Sequence, residues 1–496
     1  MSDAGTGAQA SPARPALSGR ERGALALVLH THMPYVEGFG TWPFGEEWLW
    51  EAIAGCYLPL LDLLDESGAP VTLSLTPVLA DQLGASSVAA RFARFVGETR
   101  SFTHGEDAAG LRSGGHHDLA AELERAFRED YERPLERFAA RGGDLLGAFA
   151  PHAAWTSCAT HAVLPLLASD ACVRLQLHAG VASHLARFGE GWRGGLWLPE
   201  CAHTPALESL LAGAGARATC VELTSRLGLG ARAHLRPLLS EAGVVLFPVD
   251  RATISLVWSA GGYPADELYR DYHRHTIHHH NPWCNGGGPY DFELARARAA
   301  EHAADFVGRV RERLARDGEG LPGGGLVVCA LDTELLGHWW YEGLAWLRAV
   351  FAECARQGLE LVGLDDVLER FAPAPLRELA PAAWPASSWG TDNDLSTWSG
   401  PAVAELAFAT RDAELRALAA AQRGEVGRAA ARELLALQAS DWTFMVSRGV
   451  AVPYARERFE GHRQALEEAL AQGLRAGEER LRGLATHADP ALLLAP

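Results

Sequence analysis

Short apolar runs that each break on a polar residue limit what this chain can fold into more than any other feature. Residues 24–29 run into His30-Thr31-His32, 71–75 into Thr76-Pro77, and 195–198 into Pro199 and Glu200. Residues 244–247 lead to Asp250, 326–331 to Asp332, and 359–364 to Asp365-Asp366. Runs that are apolar without alternation belong to strands covered on both faces, as in parallel sheets. Between them lie Ala/Arg/Leu-rich stretches with helical spacing, such as 293–316. When polar residues gather at strand C-termini, the expected fold is α/β, a TIM-like barrel with its chemistry at that rim.

The chain has 496 residues, enough for a barrel and a second domain. Past residue 375 its character changes. A Pro/Ala-rich stretch, APAPLRELAPAAWPASSWG, leads into helical segments, with Phe459, Leu466, Leu470 and Leu474 on one stripe. The net charge is −18 and the chain has no lysine, its fixed positive charges all being arginine, a balance that argues against nucleic acid or an anionic membrane surface as partner. The eight cysteines are scattered without a CxxC pair, which argues against a zinc ribbon or a disulfide framework. Residues 1–20 are small and polar with no apolar core, and read as a disordered lead-in. No run is long enough to span a bilayer, so a cytoplasmic protein is expected.

Two acids stand out. In GGLWLPECAH (194–203) an apolar run ends on Glu200, and in ALDTELLGHWWYEG (330–343) another ends on Asp332. Two carboxylates facing each other across a barrel mouth suit glycoside cleavage, in which one attacks the anomeric carbon and the other protonates the departing oxygen. Helix N-capping after a strand is the structural alternative for each. His30 and His32 with an acid could hold a sugar, or begin a zinc site. Three consecutive histidines, 278–280, cannot easily converge on one ion and read as a solvated loop before Asn281-Pro282.

LHTHMPYV (29–36), SCATHAVLPLL (157–167), GGLWLPECAH, ALDTELLGHWWYEG and SSWGTDNDLSTW (387–398) together resemble the five signature regions of glycoside hydrolase family 57, in the family's order. WPFGEEWLWEA (42–52), VWSAGGYPADELYRDYHR (257–274) and QASDWTFMVS (438–447) extend the resemblance over nearly the whole chain from residue 24. The subgroup most resembled is the 1,4-α-glucan branching enzymes, including the actinobacterial members. The resemblance implies an incomplete (β/α)7 barrel with a helical insertion (21–375) and a C-terminal helical domain (376–496) that helps close the cleft. It implies Glu200 as nucleophile and Asp332 as acid/base of a retaining double displacement on an α-glucan, with no metal and no organic cofactor. His30, His32, His161, His338 and Asp441 would contact substrate, and Trp258, Trp389 and Trp398 would be glucan platforms.

The chain departs from the family at several places. Pro248-Val249-Asp250 stands where branching enzymes carry Gly-Arg-Asp, Ala265 replaces a glycine at a substrate-binding position, and TDND follows SSWG. The stretch 221–243 is short and lacks the tyrosine that the family's mobile loop uses to favour transfer. Hydrolysis by an α-amylase, a 4-α-glucanotransferase, a zinc-dependent hydrolase and a glucan-binding protein without turnover are the rival readings.

Overall fold

The structure is a computed structural model that describes residues 23–40, 44–378 and 385–494; the expected lead-in at 1–20 lies outside the described residues. Among these, no helix is long and apolar enough to cross a membrane, and the eight cysteines are all free.

Seven parallel strands form the barrel: β1 (Ala24–Thr31), β2 (Thr72–Leu75), β3 (Ala153–Ser157), β4 (Leu196–Trp197), β5 (Ala218–Val221), β7 (Val245–Pro248) and β8 (Leu326–Asp332). A two-residue strand, β6 (Leu238–Leu239), lies antiparallel to β7. One sheet runs β4-β3-β2-β1-β8, and a second pairs β5 with β7. They join at the Gly195–Ala218 bridge on one side. On the other, the Asp250 N–H donates to the Val328 carbonyl at 2.8 Å. Gly195 is required at its place, because a Cβ there would lie 2.1 Å from Nε1 of Trp155. All eight residues of β1 are buried, as expected for a strand covered on both faces.

The apolar runs locate β1, β2, β4, β7 and β8, but not β3 or β5. Those two, AAWTS and ATCV, bury small and hydroxylated side chains and so carry no long aliphatic run. The run at 359–364 gives only Glu360–Leu361, paired with the start of β1. Between β2 and β3 the chain makes a helical insertion, from Pro77–Leu83 to Leu145–Phe149. The long Phe292–Asp317 helix covers the barrel before β8, and buries Ala299, Phe306 and Val310.

The 278–280 loop is not fully solvated. His278 Nδ1 lies 2.7 Å from the Asp107 carboxylate of the insertion, and His280 is 4% exposed against His104. Only His279 of the three stays exposed.

The C-terminal domain is built around the Arg428–Leu437 helix, which is buried on nearly all sides, as a central helix must be. Helices Ala404–Gln422 and Val452–Gln472 flank it. The second ends at Gln472, so Leu474 falls past it and is exposed, while Phe459 and Leu466 are in the core. Tyr35, Val78, Cys172 and Leu175 of the barrel side belong to the same apolar cluster, which seats this domain on the barrel mouth.

Candidate active site

Strand register brings the first groups together. His30 on β1 pairs with Ser74 on β2 and with Asp332 on β8, so the three side chains share one face at the C-terminal rim. The Asp332 carboxylate makes no capping hydrogen bond to the helical turn that follows it, which removes the capping alternative. Glu200 lies three residues beyond β4 with φ 62°, and Cys201 follows at φ 49°. Non-glycine residues held in the left-handed region cost on the order of 1–3 kcal/mol each and concentrate at functional sites. His161, at φ 60°, is a third.

The surroundings of Glu200 come largely from outside the barrel. Residues around Ser387 pair with the chain after Glu200, through reciprocal hydrogen bonds between His203 and Ser387. This pairing carries Trp389 over the acid. The Trp389 N–H donates to the Glu200 carbonyl at 3.0 Å, and its indole Nε1–H donates to Oε2 at 2.9 Å. Ser440, from the C-terminal domain, lies 3.1 Å from Oε1. Trp389 packs at 57° on Trp197, ring centroids 5.1 Å apart.

Three imidazoles and two carboxylates complete the mouth. His30 stacks on Trp197 at 4.6 Å and is 2.9 Å from His161, Nε2 to Nε2. His32 stacks on His161 at 3.9 Å. Its Nε2 donates to Asp441 Oδ1 at 2.9 Å, and its backbone N–H to Glu334 Oε1 at 3.1 Å. Burial alone would lower the His32 pKa, but Asp441, and beyond it Glu334 and Glu200, raise it above the ordinary value. Burial and the charge of His32 hold His30 and His161 well below theirs. One imidazole favoured in its charged form therefore lies beside two whose neutral form is favoured.

Burial pushes Glu200 up to about 7, with the indole hydrogen bond opposing and the charges of Asp332 and Asp441 adding to the rise. Burial likewise pushes Asp332 to about 7, opposed by His32. The rise at Asp332 is thus caused by desolvation, while the repulsion between the acids is felt at Glu200. The two sites are not equivalent. Glu200 accepts hydrogen bonds on both oxygens, and these favour its ionised form.

His32, His161 and Asp441 place one ligand atom each within 4.8 Å of one another, a spacing that a metal ion would need. His30 is not in that group. The nitrogens are already used: His32 Nε2 carries the proton given to Asp441, and both nitrogens of His161 are hydrogen-bonded.

The remaining expected residues divide. Trp258 is 44% exposed on the rim, with Trp339, 41% exposed, at 6.0 Å and 74° to it. Ala265 is exposed beyond the turn that follows Trp258, and His338 is partly buried beside Trp339. Trp398 is not a platform. It is 2% exposed and packs with Val163 and Ala202 in the wall behind Trp389. Three residues escaped the sequence reading. Ser440 and Glu334 sit beside expected site residues but carry no motif of their own. Arg251, two places after Val249, donates to the Trp389 carbonyl at 3.2 Å and lies 3.9 Å from the buried Glu222. An arginine thus reaches the site although Val249 cannot.

The family model described as Glycosyl hydrolase family 57 matches residues 154–380, and that described as 1,4-alpha-glucan branching enzyme, C-terminal, matches residues 404–489. A probable 1,4-alpha-glucan branching enzyme of Mycobacterium tuberculosis is 34% identical over 92% of this chain and 94% of its own length. Among solved structures, the GH57-type branching enzyme of Pyrococcus horikoshii superposes with a TM-score of 0.85 at 30% identity, covering 95% of this chain and 97% of that one. The alpha-amylase AmyC of Thermotoga maritima superposes with a TM-score of 0.78 at 25% identity, covering 96% of this chain and 98% of that one. A seven-stranded barrel with an acid on β8, a second acid after β4 and relatives alike over almost their whole length gives one conclusion: the chain belongs to glycosyl hydrolase family 57.

Proposed function

We propose that the chain is a retaining 1,4-α-glucan branching enzyme with Glu200 as nucleophile and Asp332 as acid/base. The observation that carries this is the asymmetry of the acids: both are desolvated, but among the described residues only Glu200 has donors on its carboxylate. Glu200 attacks the anomeric carbon of an α-1,4 linkage while Asp332 gives its proton to the departing oxygen. The non-reducing fragment is then held as a glycosyl ester of Glu200. Asp332, now ionised, takes the proton of an acceptor 6-hydroxyl, which attacks the ester carbon and frees Glu200 as an α-1,6 branch forms.

Transfer requires an acceptor glucan to outcompete water. Trp258 and Trp339 offer exposed faces on the rim for stacking on sugar rings, and His30, His32, His161, His338 and Asp441 offer polar contacts around the cleavage point. A glycogen-like or methylated polysaccharide in the cytoplasm is the natural substrate that this reading favours.

Proton NMR of amylose incubated with the protein tests it. A growing α-1,6 anomeric signal, absent with Glu200→Ala, is the expected result. Falling α-1,4 signal with rising reducing ends and no α-1,6 signal would make the chain a hydrolase. The short, tyrosine-free 221–243 stretch and the likeness to an amylase favour that as the second reading.

Trp389→Phe removes the donor to Oε2 while keeping the ring. It is expected to lower kcat about 10- to 100-fold with a smaller change in KM, since a hydrogen bond to a charged group is worth roughly 1.5–3 kcal/mol. An equal loss in binding and none in kcat would make Trp389 a substrate platform only.

A further inference from the structure

The geometry points to one polarised hydrogen-bond chain, Ser74–His30–His161–Ser440–Glu200, that holds the nucleophile as a carboxylate, with Ser440 as its positioning residue. Four contacts define it. Ser74 Oγ is 3.1 Å from His30 Nδ1, and His30 Nε2 is 2.9 Å from His161 Nε2. His161 Nδ1 is 2.8 Å from Ser440 Oγ, and Ser440 Oγ is 3.1 Å from Glu200 Oε1. The Ser74, His30, His161 and Ser440 side chains are all buried, so water does not substitute for any partner.

The direction follows from proton counting. A carboxylate only accepts, so the single hydroxyl proton of Ser440 points at Glu200. Ser440 Oγ must then accept from His161 Nδ1–H, which leaves His161 Nε2 as a lone pair. His30 therefore donates from Nε2, and its own Nδ1 accepts the Ser74 hydroxyl. Reversing any link reverses them all, and the reversed chain needs a proton on Glu200. Neutral imidazoles are required throughout, and the pKa values of both rings lie well below the ordinary one.

The chain crosses the molecule's main seam. Ser74 and His30 belong to β2 and β1, His161 follows β3, Glu200 follows β4, and Ser440 opens a helix of the C-terminal domain. The Ser440 N–H also donates to the His161 carbonyl at 3.1 Å, next to the Ala162–Ala439 bridge, which fixes the seryl side chain over the acid. The C-terminal domain thereby sets the ionisation of a barrel residue. The other groups that bear on Glu200 are Asp332 on β8, Asp441 beside Ser440, His32 after β1, and the His161 ring at 3.8 Å.

The inference rests on Glu200 being the nucleophile, and its test separates the two. In the full chain labelled with ¹⁵N-histidine, at a pH above about 8, His30 is expected as the Nε2–H tautomer and His161 as the Nδ1–H tautomer, each assigned by its loss in a single variant. Ser440→Ala is expected to lower kcat/KM about 10- to 100-fold near pH 6 and to move the acid limb of its pH profile up by about one unit, because one donor to the carboxylate is gone. Ser440→Thr, which keeps the hydroxyl, restores the wild-type profile. A His161 found as Nε2–H, or a Ser440→Ala profile with the wild-type acid limb, would overturn the chain. The tautomers are read without turnover, so they remain informative if Ser440→Ala does not fold. Loss of the nucleophile assignment would show separately, as wild-type turnover in Glu200→Gln.

Discussion

Glu200→Ala is expected to turn over amylose at least about 10³-fold more slowly than the wild type, with a folded protein and unchanged far-UV spectrum, because no ester intermediate can form without the carboxylate. The stereochemistry of rescue identifies the role. Azide can occupy the space vacated in Glu200→Ala and displace the leaving group directly, once, giving a β-glycosyl azide. In Asp332→Ala the nucleophile remains, so azide intercepts the glycosyl ester and gives the α-product by two inversions. The same products in the opposite assignment would exchange the two acids. No azide adduct from either variant, with turnover retained, would remove both from the chemistry. The Trp389 and Ser440 donors on Glu200, and the lack of any on Asp332 among the described residues, are what commit the expected outcome to this order.

Asp332→Asn is expected to make the protein more stable while making it inactive, and the gain is expected to depend on pH. The carboxyl of Asp332 is raised by burial from its ordinary value of 3.8 to about 7. Between those values the folded chain keeps a proton that the unfolded chain releases, so stability falls as pH rises through this window. Above the folded pKa the buried charge is present and its full cost is felt. Asparagine carries no charge at any pH. The variant's advantage should therefore be near zero around pH 4 and reach about 2–4 kcal/mol near pH 8, read as denaturation midpoints at the two pH values. A gain that is the same at both, or larger in acid, would show that desolvation of this acid is not a cost to the fold. Glu200, also raised to about 7, contributes in the same direction, so the intact active site trades stability for function at neutral pH. Activity should follow a narrow bell around neutrality, with both limbs set by a pair that must share one proton.

The sequence by itself determined the class of fold and the family. Continuous apolar runs at β1, β7 and β8 admit no face that meets water, so they dictate a covered parallel sheet, and the residues that end them had to lie at its rim. Signature regions carrying Glu200 and Asp332 then gave the family, which the relatives bear out. Strands β3 and β5 were not legible, because short buried strands made mostly of small or hydroxylated residues carry no local signal; they are strands only because their neighbours supply the hydrogen bonds. Tertiary structure alone decided what each aromatic does. Trp389 and Trp398 read alike in the sequence, yet one donates to Glu200 and the other fills the wall behind it, since a nine-residue separation across a turn fixes neither exposure nor direction. It also decided which residues act on Glu200. Ser440 lies 240 residues away along the chain, and no local pattern encodes a contact between a barrel acid and a helix start in another domain. Only the docking of the C-terminal helices, through an apolar cluster shared with Tyr35 and Cys172, brings that hydroxyl to the carboxylate.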